Sequence, residues 1–128
     1  MPSHRRTALP AVLALSLLSA CGPTGGAAFK DLPPEKSLDC AASIYAVVNE
    51  MDPESTNPDV AYVRSNGLAA ITHYGTIYAE AEGIAGQDVV GVVRLKAHRM
   101  TGKIPGGSRV SAPTIIERAK ACLTPEAG

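Results

Sequence analysis

The chain has no tryptophan, one phenylalanine and four tyrosines in 128 residues. Five rings are too few for an aromatic platform that reads single-stranded nucleic acid. The three cysteines, Cys21, Cys40 and Cys122, are too far apart for a C-x-x-C redox or zinc motif or a C-x-x-C-H haem attachment. No G-x-S-x-G surrounds Ser65, Ser108 or Ser111, and the glycines near 83–86 and 102–107 form neither a P-loop nor a dinucleotide-binding pattern. The carboxylate pairs Asp52/Glu54 and Glu80/Glu82 are spaced i, i+2, which on a helix turns them to different faces. These absences leave no residue to name as catalytic and no cofactor or metal to expect.

What the chain does have is one long apolar run. Arg5 and Arg6 precede it, and Ala8 to Ala20 carry almost nothing polar. A membrane span needs roughly 20 apolar residues, and Pro10 would sit badly inside a core helix. A basic flank, a short apolar core and small residues before a cut site instead read as a secretory signal. The run ends in Leu18-Ser19-Ala20-Cys21, which resembles the lipobox of bacterial lipoproteins. The resemblance implies that residues 1–20 are a removed signal peptide and that Cys21 becomes an acylated first residue. It implies a membrane-anchored protein facing the periplasm or the cell surface. Gly22 rather than Asp after the cysteine favours the outer membrane under the enterobacterial sorting habit. Each buried methylene contributes about 0.8 kcal/mol of membrane affinity, so the two or three acyl chains of this class would hold it permanently.

Residues 21–35, rich in Gly and Pro without apolar periodicity, read as a flexible tether, with Phe29 and Leu32 able to fold back. The remaining 36–128 are enough for one small domain, and their periodicity predicts four helices. The first starts at Ser37 or Leu38, with Ser37 as N-cap and Asp39 in the first turn, and runs to about Met51 with Cys40, Ile44, Val47, Val48 and Met51 on one face. Asn57-Pro58 opens the second by an N-cap followed by proline at the first helical position. Its face is Val60, Val63, Gly67, Ile71, Tyr74 and Tyr78, and it ends near Glu82-Gly83. Gly67 and Gly75 within it each cost about 1 kcal/mol relative to alanine, which fits either a close neighbour or a tolerated glycine. Val89 to Val93 is short and β-branched enough for a strand, but no second strand exists to pair with it. The segment from Gln87 to about Met100 is therefore predicted helical, with Val89, Val93, Ala97 and Met100 inward. Ser111 caps the last helix, whose stripe is Ile115, Ile116, Ala119, Cys122 and Leu123, with Pro125 as its stop.

Cys40 and Cys122 read as a disulfide in an oxidising compartment. They fall in the first turn of the first helix and the last turn of the fourth. Only an even number of alternating helices brings those places to one end. The expected fold is all-α, a small up-down four-helix bundle closed by one disulfide.

Charge is unevenly placed. From Cys21 to Val93 there are three basic and ten acidic residues, and from Arg94 onward seven basic and two acidic. The halves are expected to attract each other across the fold. Arg94, Arg99, Lys103 and Arg109 form a candidate surface for an anionic partner such as lipid head groups, cell-wall polymer or an acidic envelope protein, while export and the scarcity of rings argue against nucleic acid. His73 and His98 fall off the apolar faces of their helices and are expected in solvent rather than around a metal or haem. Tyr74 and Tyr78 are expected in the core with their hydroxyls at its rim, and Tyr62 off it. The favoured function is a non-catalytic interaction or envelope-assembly module. A binder of a small apolar ligand or lipid between the helices is the alternative, and an enzyme of unknown class a third.

Overall fold

The computed structural model describes residues 29–107 and 109–124. The leader, Cys21 with the lipobox, most of the tether, Ser108 and Pro125 lie outside the described residues. Among those described there are four helices and no strand: α1 Pro34–Tyr45, α2 Pro58–Glu82, α3 Gly86–Thr101 and α4 Ala112–Leu123. None is long and apolar enough to cross a membrane.

Local chemistry explains most of the boundaries. Asn57 Oδ1 accepts the Asp59 amide at 2.8 Å and Pro58 opens α2, where a missing N–H is no loss. Both α2 and α3 end on a left-handed glycine, Gly83 (φ 69°) and Gly102 (φ 80°). In each case the following residue donates to the carbonyl five back, Ile84 to Ala79 and Lys103 to His98, both at 2.9 Å. This Schellman closure satisfies carbonyls that the helix leaves without partners. The Val89–Val93 run lies wholly inside α3, and Val89, Val93, Ala97 and Met100 are its buried residues.

Two expected caps are not made. α1 starts three residues before Ser37, because Pro34 sets the first helical φ and lacks the N–H that would need a partner. Ser37 is then fully buried inside the helix, and its hydroxyl donates to the Leu32 carbonyl at 3.1 Å. Asp39 accordingly falls past the first turn, whose acid is Glu35. Pro34 and Glu35, read with the tether, are helical, and Phe29 and Leu32 pack on the core. Ser111 occupies the position before α4, but its side chain makes no cap and donates to Thr114 Oγ1 at 2.9 Å.

The first helix does not run evenly to Met51. After Tyr45 it continues as a π-helical turn, Ala46–Glu50, and breaks at Met51 into extended backbone. Single π turns inside helices are rare and shift the side chains beyond them onto a new face. Glu50 is the last residue of this turn.

The core gathers Leu38 and Ile44 of α1 and Val47 of the π turn with Val60, Val63 and Tyr74 of α2, Val93 and Ala97 of α3, and Ile115 and Leu123 of α4. Helices α1 and α2 each pack on all three others, whereas α3 and α4 barely touch. The α1–α2 pair is therefore the centre, with α3 and α4 as flanks. Gly67 marks the closest approach: a Cβ there would lie 2.9 Å from both Ile44 Cγ2 and Val48 Cγ2. Gly75 has no such demand, since its nearest neighbour would be 3.7 Å away. Cys40 and Cys122 form the disulfide, with their Cα atoms 5.7 Å apart.

Candidate functional site

Both histidines are part-buried and each bonds a protein oxygen, which corrects the wheel-based expectation of fully solvent-facing rings. His73 Nε2 is 2.7 Å from the Lys30 carbonyl, and its ring forms a three-ring cluster with Phe29 and Tyr74. The strap of residues 29–33 covers a side of α2 that a helical wheel leaves open. His98 Nε2 is 2.9 Å from Glu50 Oε2, in reach because the π turn brings Glu50 against α3. Among the described residues no group of three or more His, Cys, Asp or Glu is placed to hold a metal ion.

The Glu50 carboxylate is only 5% exposed. Lys103 Nζ stands 3.1 Å from Oε1 as an ion pair, at an angle that makes no hydrogen bond. Buried carboxylates are costly unless compensated, and here one oxygen is hydrogen-bonded and the other compensated by charge alone. The group also borders a cavity of about 420 Å³ where the ends of α1 and α3 (Glu50, Thr101) meet the starts of α2 and α4 (Val60, Ala112).

The ion pairs bear on the charge asymmetry. Lys96–Asp39 (2.9 Å), Lys103–Glu50 (3.1 Å) and Lys120–Asp59 (3.2 Å) each join a base of the second half to an acid of the first. The attraction between halves is thus resolved into bridges from α3 and its following loop to α1 and from α4 to α2.

The four candidate partner residues lie on α3 and the loop that follows it. Lys103 is turned onto Glu50. Arg109 lies over Gly102 and borders the Glu50 cavity. Arg99 lies over Gly107 and borders a different cleft, with Leu38, Tyr78 and Arg118. Arg94 is exposed on α3. The positive-φ glycines of the loop let its backbone fold back under these two arginine stems, with the Val110 amide donating to the Met100 carbonyl at 2.8 Å.

Tyr74 is fully buried, and its hydroxyl donates to the Cys122 carbonyl at 2.6 Å instead of reaching the rim. That carbonyl is in the last turn of α4, where no intrahelical partner remains. Tyr62 is 45% exposed.

Between α2 and α3, floored by the end of α1, lies an apolar groove of about 590 Å³; an apolar site between the helices is among the sequence-based alternatives, but Leu68 and Val90 are not named for it there. Tyr45, Ile71, Gly75, Ile84, Val89 and Val93 line it. Leu68 of α2 and Val90 of α3 stand at its edges, 72% and 52% exposed. The signal was present: both are large apolar residues off the buried stripe of their helices. Single exposed apolar side chains are ordinary, so only their convergence on one groove gives them meaning. The small Gly75 leaves the groove wall open beside Val89.

The fold and its surface define a class: a disulfide-closed, all-α domain with an open apolar seam. Comparison of the chain with protein-family models, with curated proteins and with solved structures finds no match.

Proposed function

We propose that this is a lipid-anchored bacterial envelope protein, acylated at Cys21, that acts as a non-catalytic interaction module through the α2–α3 groove. The observation that carries the interaction reading is the exposure of Leu68 and Val90 on opposite walls of one apolar seam. Two helices with apolar residues facing outward across a groove are a ready seat for a further element. The anchor rests on the lipobox-like Leu18-Ser19-Ala20-Cys21, with the domain in the periplasm or at the surface and the outer membrane as the favoured site. The helices run up, down, up and down, with α1 and α2 on the short diagonal. This arrangement is supported by the ends of α1 and α3 meeting the starts of α2 and α4 around one cavity, and by the disulfide from the start of α1 to the end of α4. A second reading has the same groove hold a small apolar ligand, since its volume lies within the range of such sites.

Photo-crosslinking residues placed at 68, 90 and 109 in the intact envelope test the module. Protein adducts from 68 and 90 but not from 109 are expected. Adducts from 109 alone would move the interface to the basic loop, and no protein adduct from any position would overturn the module. Intact mass of the natural amino-terminal peptide tests the anchor: a diacylglyceryl group on Cys21 is expected, and a free thiol or an uncleaved leader would refute it.

A further inference from the structure

We infer that the occupant of the α2–α3 groove is an amphipathic helix of a partner protein with basic residues flanking its apolar face; this rests on the interaction-module reading and adds the partner's chemistry. The shape argues for a helix. The groove is bounded by two helices and floored by a third, with Leu68 and Val90 on opposite edges. A helix laid in such a seam places residues at i, i+3, i+4 and i+7 into it.

Charge argues for basic flanks. The one ionisable carboxylate that lines the groove is Glu80, and no lysine or arginine lines it. At the same end the α2–α3 turn supplies Ile84 and Gly86 to the lining, and their near neighbours in sequence, Glu82 and Asp88, are exposed. None of these three acids makes an ion pair among the described residues, whereas Lys96, Lys103 and Lys120 all do. Exposed Arg94, next to the lining residue Val93, stands toward the other end of the groove, while Glu80, Glu82 and Asp88 leave the turn end negative. An anionic lipid head group or an acidic peptide would be repelled there, and a cationic one drawn in. The polar edge of the groove, with Thr72 and Thr76, offers hydroxyls to such a segment's polar side.

The test takes the adducts formed from positions 68 and 90 and sequences the attached segment. An apolar stripe at helical spacing with lysine or arginine within a turn of it is expected. A peptide of that sequence should then bind the domain, and the Glu80→Gln/Glu82→Gln/Asp88→Asn variant should weaken it about fivefold to tenfold at low salt. The effect should shrink at high salt. Leu68→Ser/Val90→Ser should abolish binding, and unchanged circular dichroism would show that the fold survives. An adduct with an acidic segment, with lipid or with a second copy of this chain would overturn the inference. A peptide whose affinity ignores both the triple neutralisation and salt would do the same. An absence of protein adducts would instead overturn the module itself, so the two failures are distinct.

Discussion

Gly67→Ala is a demanding test of the packing, because elementary helix energetics and tertiary geometry give it opposite signs. Alanine in place of glycine inside a helix is worth about 1 kcal/mol of stabilisation. A Cβ at 67 would, however, lie 2.9 Å from Ile44 Cγ2 and 2.9 Å from Val48 Cγ2. Both neighbours are β-branched, with little freedom at χ1, and Ile44 is fully buried, so neither methyl swings away cheaply. Overpacking of this kind costs about 1–3 kcal/mol. With about 2 kcal/mol as the middle of that range, Gly67→Ala should be destabilising by about 1 kcal/mol, a fall in Tm of about 4–8 °C for a domain of this size. Gly91→Ala is the reference. It lies within α3 with nothing within 4 Å of its would-be Cβ, and should gain about 1 kcal/mol. Urea and thermal unfolding followed by circular dichroism, with the disulfide intact, would measure both. The Val48→Ala background should recover part of the loss, giving a coupling of about 0.5 kcal/mol or more. If Gly67→Ala proves as stabilising as Gly91→Ala, α1 and α2 do not approach as closely as described and the central pair of the fold is wrong.

Three further outcomes follow from named contacts. Replacing Cys40 and Cys122 by serine opens a link across a separation of 82 residues; the chain-entropy account predicts a loss of about 4.5 kcal/mol, read as a fall in urea midpoint. Tyr74→Phe removes the buried 2.6 Å bond to the Cys122 carbonyl and should lose about 1–3 kcal/mol in the same assay. Glu50→Ala strips His98 and Lys103 of their shared carboxylate and should lose about 2 kcal/mol, less than a fully buried pair because Lys103 is half exposed; Glu50→Gln, which keeps an acceptor for His98, should lose less than half as much.

What the sequence by itself determined is what neighbours along the chain can decide. The Asn57-Pro58 start and the Gly83 stop depend on groups within a turn of one another, and the Val89–Val93 run is helical because the chain offers it no strand to pair with. The Cys40–Cys122 pairing is expected from the two cysteines left in a chain read as exported, and the count of four helices agrees with it because it puts both places at one end. A helical wheel states which residues share a face and is silent about what lies over it. The strap of residues 29–33 therefore enclosed His73 and Ser37 against expectation, and the π turn brought Glu50 under His98. The apolar groove is the clearest case. Leu68 and Val90 are 22 residues apart in sequence and face solvent on separate helices, and only the packing of α2 beside α3 over α1 brings them to the edges of one cleft.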